Sequence, residues 1–270
     1  MPQINNPINK MNQTEAPSLD YSLVITSCGR FDLLRRTVAS FLKFADIKPR
    51  QYIIVEDSGD ESVREILAPF DAPFEILINQ PNTGQPPSSK RLHAAIDRAY
   101  AQVRFPYIFH CEDDWEFFRT GFIRESFTLM QALPKASSIM LRGPDAHLFL
   151  RKVSDIEMIN SIRFCRQDPY CRKIHAGYSY NPGLRRLADY QKLAPLEKIK
   201  GGEAEVSYRF LLLEFATVHL EIPAVAHIGR GRRTHNRQER KRILLKLKKI
   251  QMRLHIVARW LLSRLRSKRK

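Results

Sequence analysis

Residues 107–115 read Tyr107-Ile-Phe-His-Cys-Glu-Asp-Asp-Trp115, an apolar run followed directly by three carboxylates. The apolar part predicts a buried strand, Tyr107–Cys111, so that Glu112, Asp113 and Asp114 lie where the strand ends. Like charges so close together are costly unless water or a cation neutralises them. Because oxygen ligands favour hard ions, the cluster predicts a Mg²⁺ or Mn²⁺ site. The alternative is a solvated loop that caps a helix.

A second acidic cluster, Glu56–Glu61, follows another apolar run, Gln51–Val55. Around these two segments, strands and helices alternate along the first half of the chain. The predicted strands are Tyr21–Ser27, Gln51–Val55, Phe74–Ile78 and Tyr107–Cys111, and the predicted helices lie near Leu33–Leu42, Val63–Leu67 and Lys90–Gln102. This alternation indicates an α/β fold with a mostly parallel sheet, in which sites gather beyond the carboxyl ends of the strands. Both acidic clusters lie at such ends.

The second half of the chain is predicted to pack on the same sheet as a specificity region. Its predicted elements are the helices Gly121–Leu133 and Glu203–Phe215, the strands Ser138–Arg142 and Thr217–Ile222, and the turn Asn181-Pro-Gly183. The glycine of that turn can supply an unusual backbone angle. We therefore expect a disordered polar leader at 1–19, one α/β domain at 20–229 and a basic helical tail at 230–270.

The formal net charge of +17 is concentrated in the tail. Residues 230–270 hold 17 of the 45 lysines and arginines and a single acid, so they carry +16 and the first 229 residues carry +1. Between Glu239 and Leu265 there is no Pro or Gly, and apolar residues recur at steps of three or four: Ile243, Leu247, Ile250, Leu254, Val257, Leu261 and Leu265. This pattern predicts an amphipathic helix suited to an anionic membrane surface. A helix packed on the body or on a partner protein, and nucleic-acid binding, are the alternatives.

Cysteine usage and the leader indicate the compartment. The four cysteines, Cys28, Cys111, Cys165 and Cys171, are too few and too scattered for a disulfide framework, which favours a reducing environment. The leader has no apolar run typical of a signal peptide, and no window of the sequence reaches the roughly 18 apolar residues of a membrane span. We expect a cytoplasmic protein that is held peripherally at the inner face of the membrane.

Five segments, in order, resemble the nucleotide-sugar half of GT-A fold glycosyltransferases, especially those of family 2. They are Ser22–Ser27, Ile53–Asp60, Asn82–Gly84, Ser89–Arg91 and Tyr107–Trp115, and the resemblance spans about residues 20 to 230. It implies a Rossmann-like GT-A domain with flanking helices, a nucleoside-diphosphate sugar donor with UDP favoured over GDP, and a divalent metal. No single motif is decisive, but five segments with this order and spacing are much more specific.

The resemblance also implies roles for residues around the nucleotide. Thr26 and Asp57 match positions that contact the nucleoside, and Arg91, with Lys90 beside it, matches a basic position that supports the base or the phosphates. Arg30, in the loop after the first strand, is a further candidate for contacting the nucleotide. Helix capping is the alternative for Asp57, and an ordinary surface charge is the alternative for Arg91.

The acidic motif corresponds in this resemblance to the metal motif of the family. Asp114 is then the direct metal ligand, and Asp113 or Glu112 contacts the ribose or metal-bound water. The motif departs from the commoner all-aspartate form at Glu112. This departure leaves open which carboxylate contacts the metal and which contacts the ribose. His227 resembles a late-strand histidine that returns to the metal, and a satisfied core histidine is the alternative. The metal, Mn²⁺ or Mg²⁺, would stabilise the departing diphosphate.

A sugar transfer with inversion needs a base for the acceptor hydroxyl. The segment Gly201–Phe210 resembles the family segment in which a carboxylate at a helix start precedes an arginine by six residues. Arg209 therefore indicates Glu203 as the catalytic base, with Glu205 as the second candidate. The alternative for Glu203 is a plain helix N-terminal acid, favoured by the macrodipole.

The sequence thus predicts a metal-dependent, inverting glycosyltransferase that acts on a glycan or a lipid-linked acceptor, such as a lipopolysaccharide core. Tyr178, Tyr180 and Trp115 are candidates for stacking on sugar rings, with packing in the core as the alternative. A nucleotidyltransferase is the enzymatic alternative, but it would show a Gly-rich loop after the first strand, where Ser27–Phe31 has one glycine. The non-enzyme alternative is a basic membrane- or nucleic-acid-binding protein with an inactive domain.

Overall fold

The computed structural model describes residues 18–80, 88–143, 155–167 and 176–230, together with the single positions 232, 254 and 258. Residues 1–17 of the predicted leader, the segment Asn82–Gly84, Cys171 and nearly all of the predicted tail helix therefore lie outside the described residues. Within the tail, Leu254 and Ala258 are helical and exposed. No helix in the described part of the chain is long and apolar enough to cross a membrane.

Strands and helices alternate in the first half, as the sequence predicts. The elements are β1 (Tyr21–Ser27), α1 (Phe31–Phe44), β2 (Gln51–Glu56), α2 (Val63–Leu67), β3 (Phe74–Ile78), α3 (Ser89–Tyr100) and β4 (Tyr107–Glu112). Every residue of β1 and β2 is buried, because helices cover both faces of a parallel sheet. This is why both strands read as largely apolar runs without alternation. Helix α1 buries the face that carries Leu34, Val38 and Phe41.

The second half is less regular. Its elements are β5 (Trp115–Phe117), α4 (Phe122–Ala132), β6 (Ala136–Met140), β7 (Glu157–Ile159), β8 (Ile162–Arg166), β9 (Gly183–Arg186), α5 (Leu187–Gln191), α6 (Glu203–Leu212), β10 (Ala216–Leu220) and β11 (Val225–His227). Helix α6 ends three residues before its predicted end. The cause is Glu214, whose φ of 65° is incompatible with a continuing α-helix.

Within the described residues, a nine-stranded sheet carries the fold, in the order β3-β2-β1-β4-β9-β6-β10-β8-β7. The four strands β3, β2, β1 and β4 are parallel, whereas β9 runs antiparallel to both β4 and β6. Strand β10 is parallel to β6 and antiparallel to β8, and a small second sheet joins β11 to β5. The carboxyl ends of β1, β2 and β4 therefore meet at one edge, which carries both acidic clusters.

Apolar layers cover both faces of the sheet. On one face Phe41, Phe109 and Phe122 form a cluster with ring centroids 5.3 to 6.2 Å apart. On the other face Tyr178 stacks on Phe210 of α6, with centroids 4.7 Å apart. Each of these rings buries a large apolar area, so the two layers fix α1, α4 and α6 against the sheet and thereby fix the strand ends.

Gly183 is required by the close approach of two strands. The sequence suggested that it supplies an unusual backbone angle, and that expectation was wrong, because Gly183 lies inside β9 and is not among the positive-φ glycines of the described chain. A Cβ at this position would lie 2.3 Å from the carbonyl oxygen of Ile139 in β6. Only glycine leaves room for the pairing of β9 with β6 at this point.

We expect Gly183→Ala to destabilise the protein by about 1 to 3 kcal/mol, the usual range for overpacking, because β6 has to move away. Gly202→Ala is the control, since a Cβ there would meet its nearest neighbour, Ser89 Cβ, at an ordinary 3.5 Å. Urea unfolding followed by circular dichroism measures both variants. An unchanged unfolding free energy for Gly183→Ala would contradict the described pairing of β9 with β6.

Candidate functional site

Strand register brings the two acidic clusters together. Strand β1 lies between β2 and β4, so that buried Thr26 has Val55 on one side and Glu112 on the other. The next residue, Ser27, lies opposite Glu56. Thr26 thus occupies the strand end between the two clusters, the position at which the resemblance places a nucleoside contact.

Arg30 neutralises the acidic motif. It lies in the loop between β1 and α1, and its guanidinium reaches both aspartates of the motif. Nη1 donates to Oδ2 of Asp114 at 2.7 Å, Nε donates to Oδ2 of Asp113 at 3.3 Å, and Nη2 pairs with Oδ1 of Asp113. The planar fork of a guanidinium suits such contacts with carboxylates. Arg30 was expected at the nucleotide, and the structure places it on the predicted metal motif.

Asp113 is the most deeply buried acid of the motif, with 1% of its surface exposed. Its Oδ2 accepts hydrogen bonds from the hydroxyl of Ser27 and from the backbone N–H of Cys28, both at 3.3 Å. Burial raises the pKa of Asp113 to about 6, although the charge of Arg30 opposes that rise. Asp113 therefore anchors the loop that follows β1.

Asp114 and His227 lie together, as the resemblance implies. His227 of β11 pairs with Trp115 of β5, which places its Nε2 3.3 Å from Oδ2 of Asp114. A Cβ at Gly229 would lie 2.4 Å from the same oxygen, so glycine is needed for this approach. Burial opposes ionisation of Asp114, but the hydrogen bond from His227 and the charge of Arg30 outweigh it and lower the pKa of Asp114.

A divalent cation fits Asp114 and His227. The described residues contain no group of three or more His, Cys, Asp or Glu side chains that could hold a metal ion. However, Oδ1 of Asp114 is buried and has no hydrogen-bond partner among them. Mg²⁺ is commonly held by one or two carboxylates plus the phosphates of a substrate, and imidazole is also a ligand that suits transition metals. Two protein ligands therefore suffice for a metal that arrives with a nucleotide.

Glu112 differs from the two aspartates in its electrostatics. It is half-buried, and its burial, together with the charges of Asp114, Glu203 and Asp113, raises its pKa to about 8. The burial of Glu112 and the negative charges around it thus disfavour a further charge at this position.

Glu203 begins α6 and is held by the turn Ser179–Asn181. Its Oε1 accepts hydrogen bonds from the hydroxyl of Ser179 and from the backbone N–H of Tyr180, both at 2.8 Å. Its charge contributes to the raised pKa of Glu112, so the two carboxyl groups lie near one another. The structure thus gives Glu203 a defined place beside the acidic motif.

Glu205, the second candidate base, contacts Arg209. Its Oε1 accepts a hydrogen bond from Nε of Arg209 at 3.2 Å, one helical turn away. This is an ordinary i,i+4 pair on a partly exposed helix face. The contact favours Glu203 over Glu205 as the base.

Asp57 and Arg91, both expected at the nucleoside, contact each other. Nη2 of Arg91 lies 3.1 Å from Oδ2 of Asp57 and also donates to the backbone oxygen of Asp57. Nδ2 of Asn79, which follows β3, donates to Oδ1 of Asp57 at 2.9 Å. Asp57 lies well before α2, whose N-cap is Ser62, so it does not cap that helix. The three side chains form a polar patch beside the end of β1, where the N–H of Asp57 donates to the backbone oxygen of Ser27 at 2.9 Å.

Lys90 lies at a different place from Arg91. It is exposed, and it makes no ion pair within the described part of the chain. It lines a cavity of about 510 Å³ with Ser89, Glu197, Lys198, Ile199, Lys200 and Gly201. The structure therefore does not bring Lys90 into contact with Asp57 or with the acidic motif.

The aromatic candidates for sugar stacking are packed in the core. Trp115, Tyr178 and Tyr180 are each at most 3% exposed, which supports the packing interpretation. Sequence reasoning also missed Asn79 and Ser179, which hold Asp57 and Glu203. Neither carries a local sequence signal, because each role depends on a contact with a residue more than 20 positions away.

No protein-family model matches the chain, and no curated protein matches it in sequence. Solved structures do match. The mannosyltransferase PcManGT from Pyrobaculum calidifontis, in complex with GDP-Man and Mn²⁺, matches with a TM-score of 0.56 at 8% identity, over 78% of this chain and 57% of that chain. TarS 1–349 from S. aureus, in complex with UDP, matches with a TM-score of 0.53 at 11% identity, over 76% and 59%. The chain has the GT-A-like glycosyltransferase fold.

The GT-A-like domain confirms the fold expected from the five sequence segments. The chain matches less than three fifths of the length of PcManGT and about three fifths of TarS 1–349. At these identities the likeness concerns the fold, and the roles of individual residues depend on the geometry described above.

Removal of Arg30 is expected to strengthen metal binding when no nucleotide is present. Arg30→Met removes the positive charge that pairs with Asp114, so the Kd for Mn²⁺ should fall about fivefold or more. Arg36→Met is the control, since it also removes one positive charge, but from an exposed pair with Glu116. Electron paramagnetic resonance of free Mn²⁺ measures both affinities, with thermal melts to verify folding. Equal affinities in Arg30→Met and the wild type would show that Arg30 does not compete with the metal.

Proposed function

We propose that the protein is a metal-dependent, inverting glycosyltransferase that moves a sugar from a nucleoside diphosphate to an acceptor hydroxyl. One observation carries the proposal. A single sheet edge brings together the polar patch at Asp57 and Arg91, the pair Asp114 and His227, and the carboxylate of Glu203. These are the groups needed to hold a nucleoside, a cation with a diphosphate, and an acceptor proton. The GT-A-like fold supports the same reaction class.

The donor would lie across the strand ends. Thr26, Asp57 and Arg91 would contact the nucleoside, with Asp57 accepting a hydrogen bond from the base. Asp114 and His227 would hold Mn²⁺ or Mg²⁺, which stabilises the negative charge gathered by the departing diphosphate. Arg30, which pairs with Asp113 and Asp114, would be the protein's own cation for pairing with the diphosphate.

Glu203 would act as the base. It takes the proton of the acceptor hydroxyl while the acceptor oxygen forms a bond to the anomeric carbon. The bond from that carbon to the diphosphate oxygen breaks, and its electron pair leaves with the nucleoside diphosphate. The hydrogen bonds from Ser179 and Tyr180 keep one oxygen of Glu203 fixed. Attack from the face opposite the leaving group gives inversion at the anomeric carbon.

The finer features of the proposal rest on the sequence. UDP as the nucleotide and membership of family 2 follow from the resemblance, while the solved neighbours include one complex with UDP and one with GDP-Man. The +16 charge of residues 230–270 supports attachment to the anionic inner face of the membrane from the cytoplasm. Such a location suits a lipid-linked acceptor, including precursors of cell-surface glycans. Binding of nucleic acid by the tail is the less favoured alternative.

The test is hydrolysis of UDP- and GDP-sugars, with water as the acceptor, in the presence of Mn²⁺. Glu203→Gln should lower kcat by about 100- to 10,000-fold, the usual contribution of a general base. Glu205→Gln, two residues further along α6, is the matched control and should stay within about threefold of the wild type. Release of free sugar and nucleoside diphosphate is followed by chromatography.

Other outcomes of the same assay contradict the proposal. Full activity of Glu203→Gln would exclude Glu203 as the base. Synthesis of a nucleotide sugar from a nucleoside triphosphate and a sugar phosphate, with release of pyrophosphate, would instead establish a nucleotidyltransferase. An absence of turnover with every donor, in a protein that still binds anionic vesicles, would favour an inactive domain with a membrane-binding tail.

A further inference from the structure

Arg185 is a buried cation that has no carboxylate partner among the described residues. It lies in β9, and 2% of its surface is exposed. Nη1 donates to the hydroxyls of Tyr100 and Tyr178 at 3.2 and 3.3 Å. Its guanidinium also lies over the ring of Tyr178, 5.0 Å from the centroid. Burying a guanidinium without a carboxylate partner costs free energy. Arg185 nevertheless lies beside the candidate site.

The Nη2 group of Arg185 holds the turn that holds Glu203, whereas its Nε is buried and has no hydrogen-bond partner among the described residues. Nη2 donates to the backbone oxygens of Ser179 and Asn181, at 2.7 and 2.8 Å. The hydroxyl of Ser179 and the N–H of Tyr180 in turn donate to Glu203. The connection from the guanidinium to the carboxylate of Glu203 therefore runs through Ser179 and through the N–H of Tyr180, which belongs to the same peptide group as the Ser179 carbonyl.

The surroundings of Arg185 leave its positive charge in place. His110 lies in β4 beside it, and its Nδ1 is 3.1 Å from the hydroxyl of Tyr100. Burial and the charge of Arg185 hold the pKa of His110 well below its usual value, so this imidazole is neutral. The hydroxyls and backbone carbonyls around Arg185 are neutral dipoles that accept hydrogen bonds from its two Nη atoms, so the turn Ser179–Asn181 is part of the shell that stabilises the cation.

We propose that Arg185 is a positioning residue for the candidate base: it fixes the turn Ser179–Asn181 from the buried side, so that the turn holds Glu203 toward the acceptor. The inference rests on the proposed function, because it requires Glu203 to act as the base. A displacement of about 1 Å in a reacting group can cost roughly 100-fold in rate. A residue that never touches the substrate can therefore influence kcat strongly.

Arg186 provides a matched control on the same strand. Successive side chains of a strand point to opposite faces of the sheet, and Arg186 pairs with Asp189 at 3.1 Å and donates to the backbone oxygen of Leu133 at 3.1 Å. Arg186→Met therefore removes the same charge from the same strand without removing a contact to the turn. Any change in kcat of Arg186→Met therefore measures the effect of lost stability alone.

The experiment combines donor hydrolysis with calorimetric titration of the matching nucleoside diphosphate. We expect Arg185→Met to lower kcat about 30-fold or more, with KM and the nucleotide Kd within about twofold of the wild type. Arg185→Lys, which keeps the charge and part of the hydrogen bonding, should recover part of that loss. Arg186→Met should keep kcat within about twofold. Thermal melts identify any variant that does not fold, and Arg185→Lys carries the test if Arg185→Met fails.

A double variant tests the connection through the turn. If Arg185 acts only by positioning Glu203 through the turn, the loss in Arg185→Lys/Glu203→Gln should not exceed the loss in Glu203→Gln alone. Multiplying losses, or a wild-type kcat in folded Arg185 variants while Glu203→Gln is inactive, would overturn the inference and leave the proposed function standing. Wild-type activity of Glu203→Gln would overturn the assignment of the base, and this inference with it.

Discussion

The repulsion among carboxylates at one sheet edge is the constraint on which the candidate site depends. Parallel pairing of β1 with β2 and β4 places Glu56, Asp57 and the acidic motif Glu112–Asp114 at neighbouring strand ends. Two arginines offset this charge, since Arg30 pairs with Asp113 and Asp114, and Arg91 pairs with Asp57. Buried charges need such partners. The protein itself, through Arg30 and Arg91, therefore supplies positive charge at this edge before any substrate is bound.

This constraint also bears on the proposed binding of a nucleoside diphosphate together with a metal. A divalent cation at Asp114 and His227 would add two positive charges and would replace the ion pair between Arg30 and Asp114. The diphosphate brings negative charge that both the metal and the displaced guanidinium can neutralise. The metal alone, or the diphosphate alone, would leave the net charge of the site uncompensated. Under the proposed function, the electrostatics therefore favour joint binding of metal and nucleotide.

The strands of the first half could be predicted because parallel strands covered on both faces are apolar runs. The predicted ends of β1 and β3 agree with the structure, and those of β2 and β4 differ by one residue. The short strands β5, β7, β8 and β9 were not predicted, since segments of three to five mixed residues carry no clear period. Their positions depend on tertiary pairing, as the contact between Gly183 and Ile139 illustrates.

The site was partly predictable for the same reason. Residues that directly follow apolar strands, such as Asp57 and Asp114, are visible in the sequence because their place follows from the strand. The contacts that hold them are not visible, since Arg30 reaches Asp114 and Asn79 reaches Asp57 across the fold. Arg185 is the extreme case, because a buried arginine in a short strand has the same local sequence as an exposed one. Its environment is set by Tyr100 and Tyr178, which lie on other elements.

Calorimetric titration of UDP and GDP into the full chain, with Mn²⁺ and with EDTA, tests the proposed donor site most directly. The wild type should bind one of the two nucleotides in the presence of Mn²⁺ and much more weakly in EDTA. Asp114→Ala should lose the metal-dependent part of that binding while its fold, followed by circular dichroism, is retained. If neither nucleotide binds with Mn²⁺ present, or if Asp114→Ala binds as well as the wild type, the sheet edge is not a metal–nucleotide site.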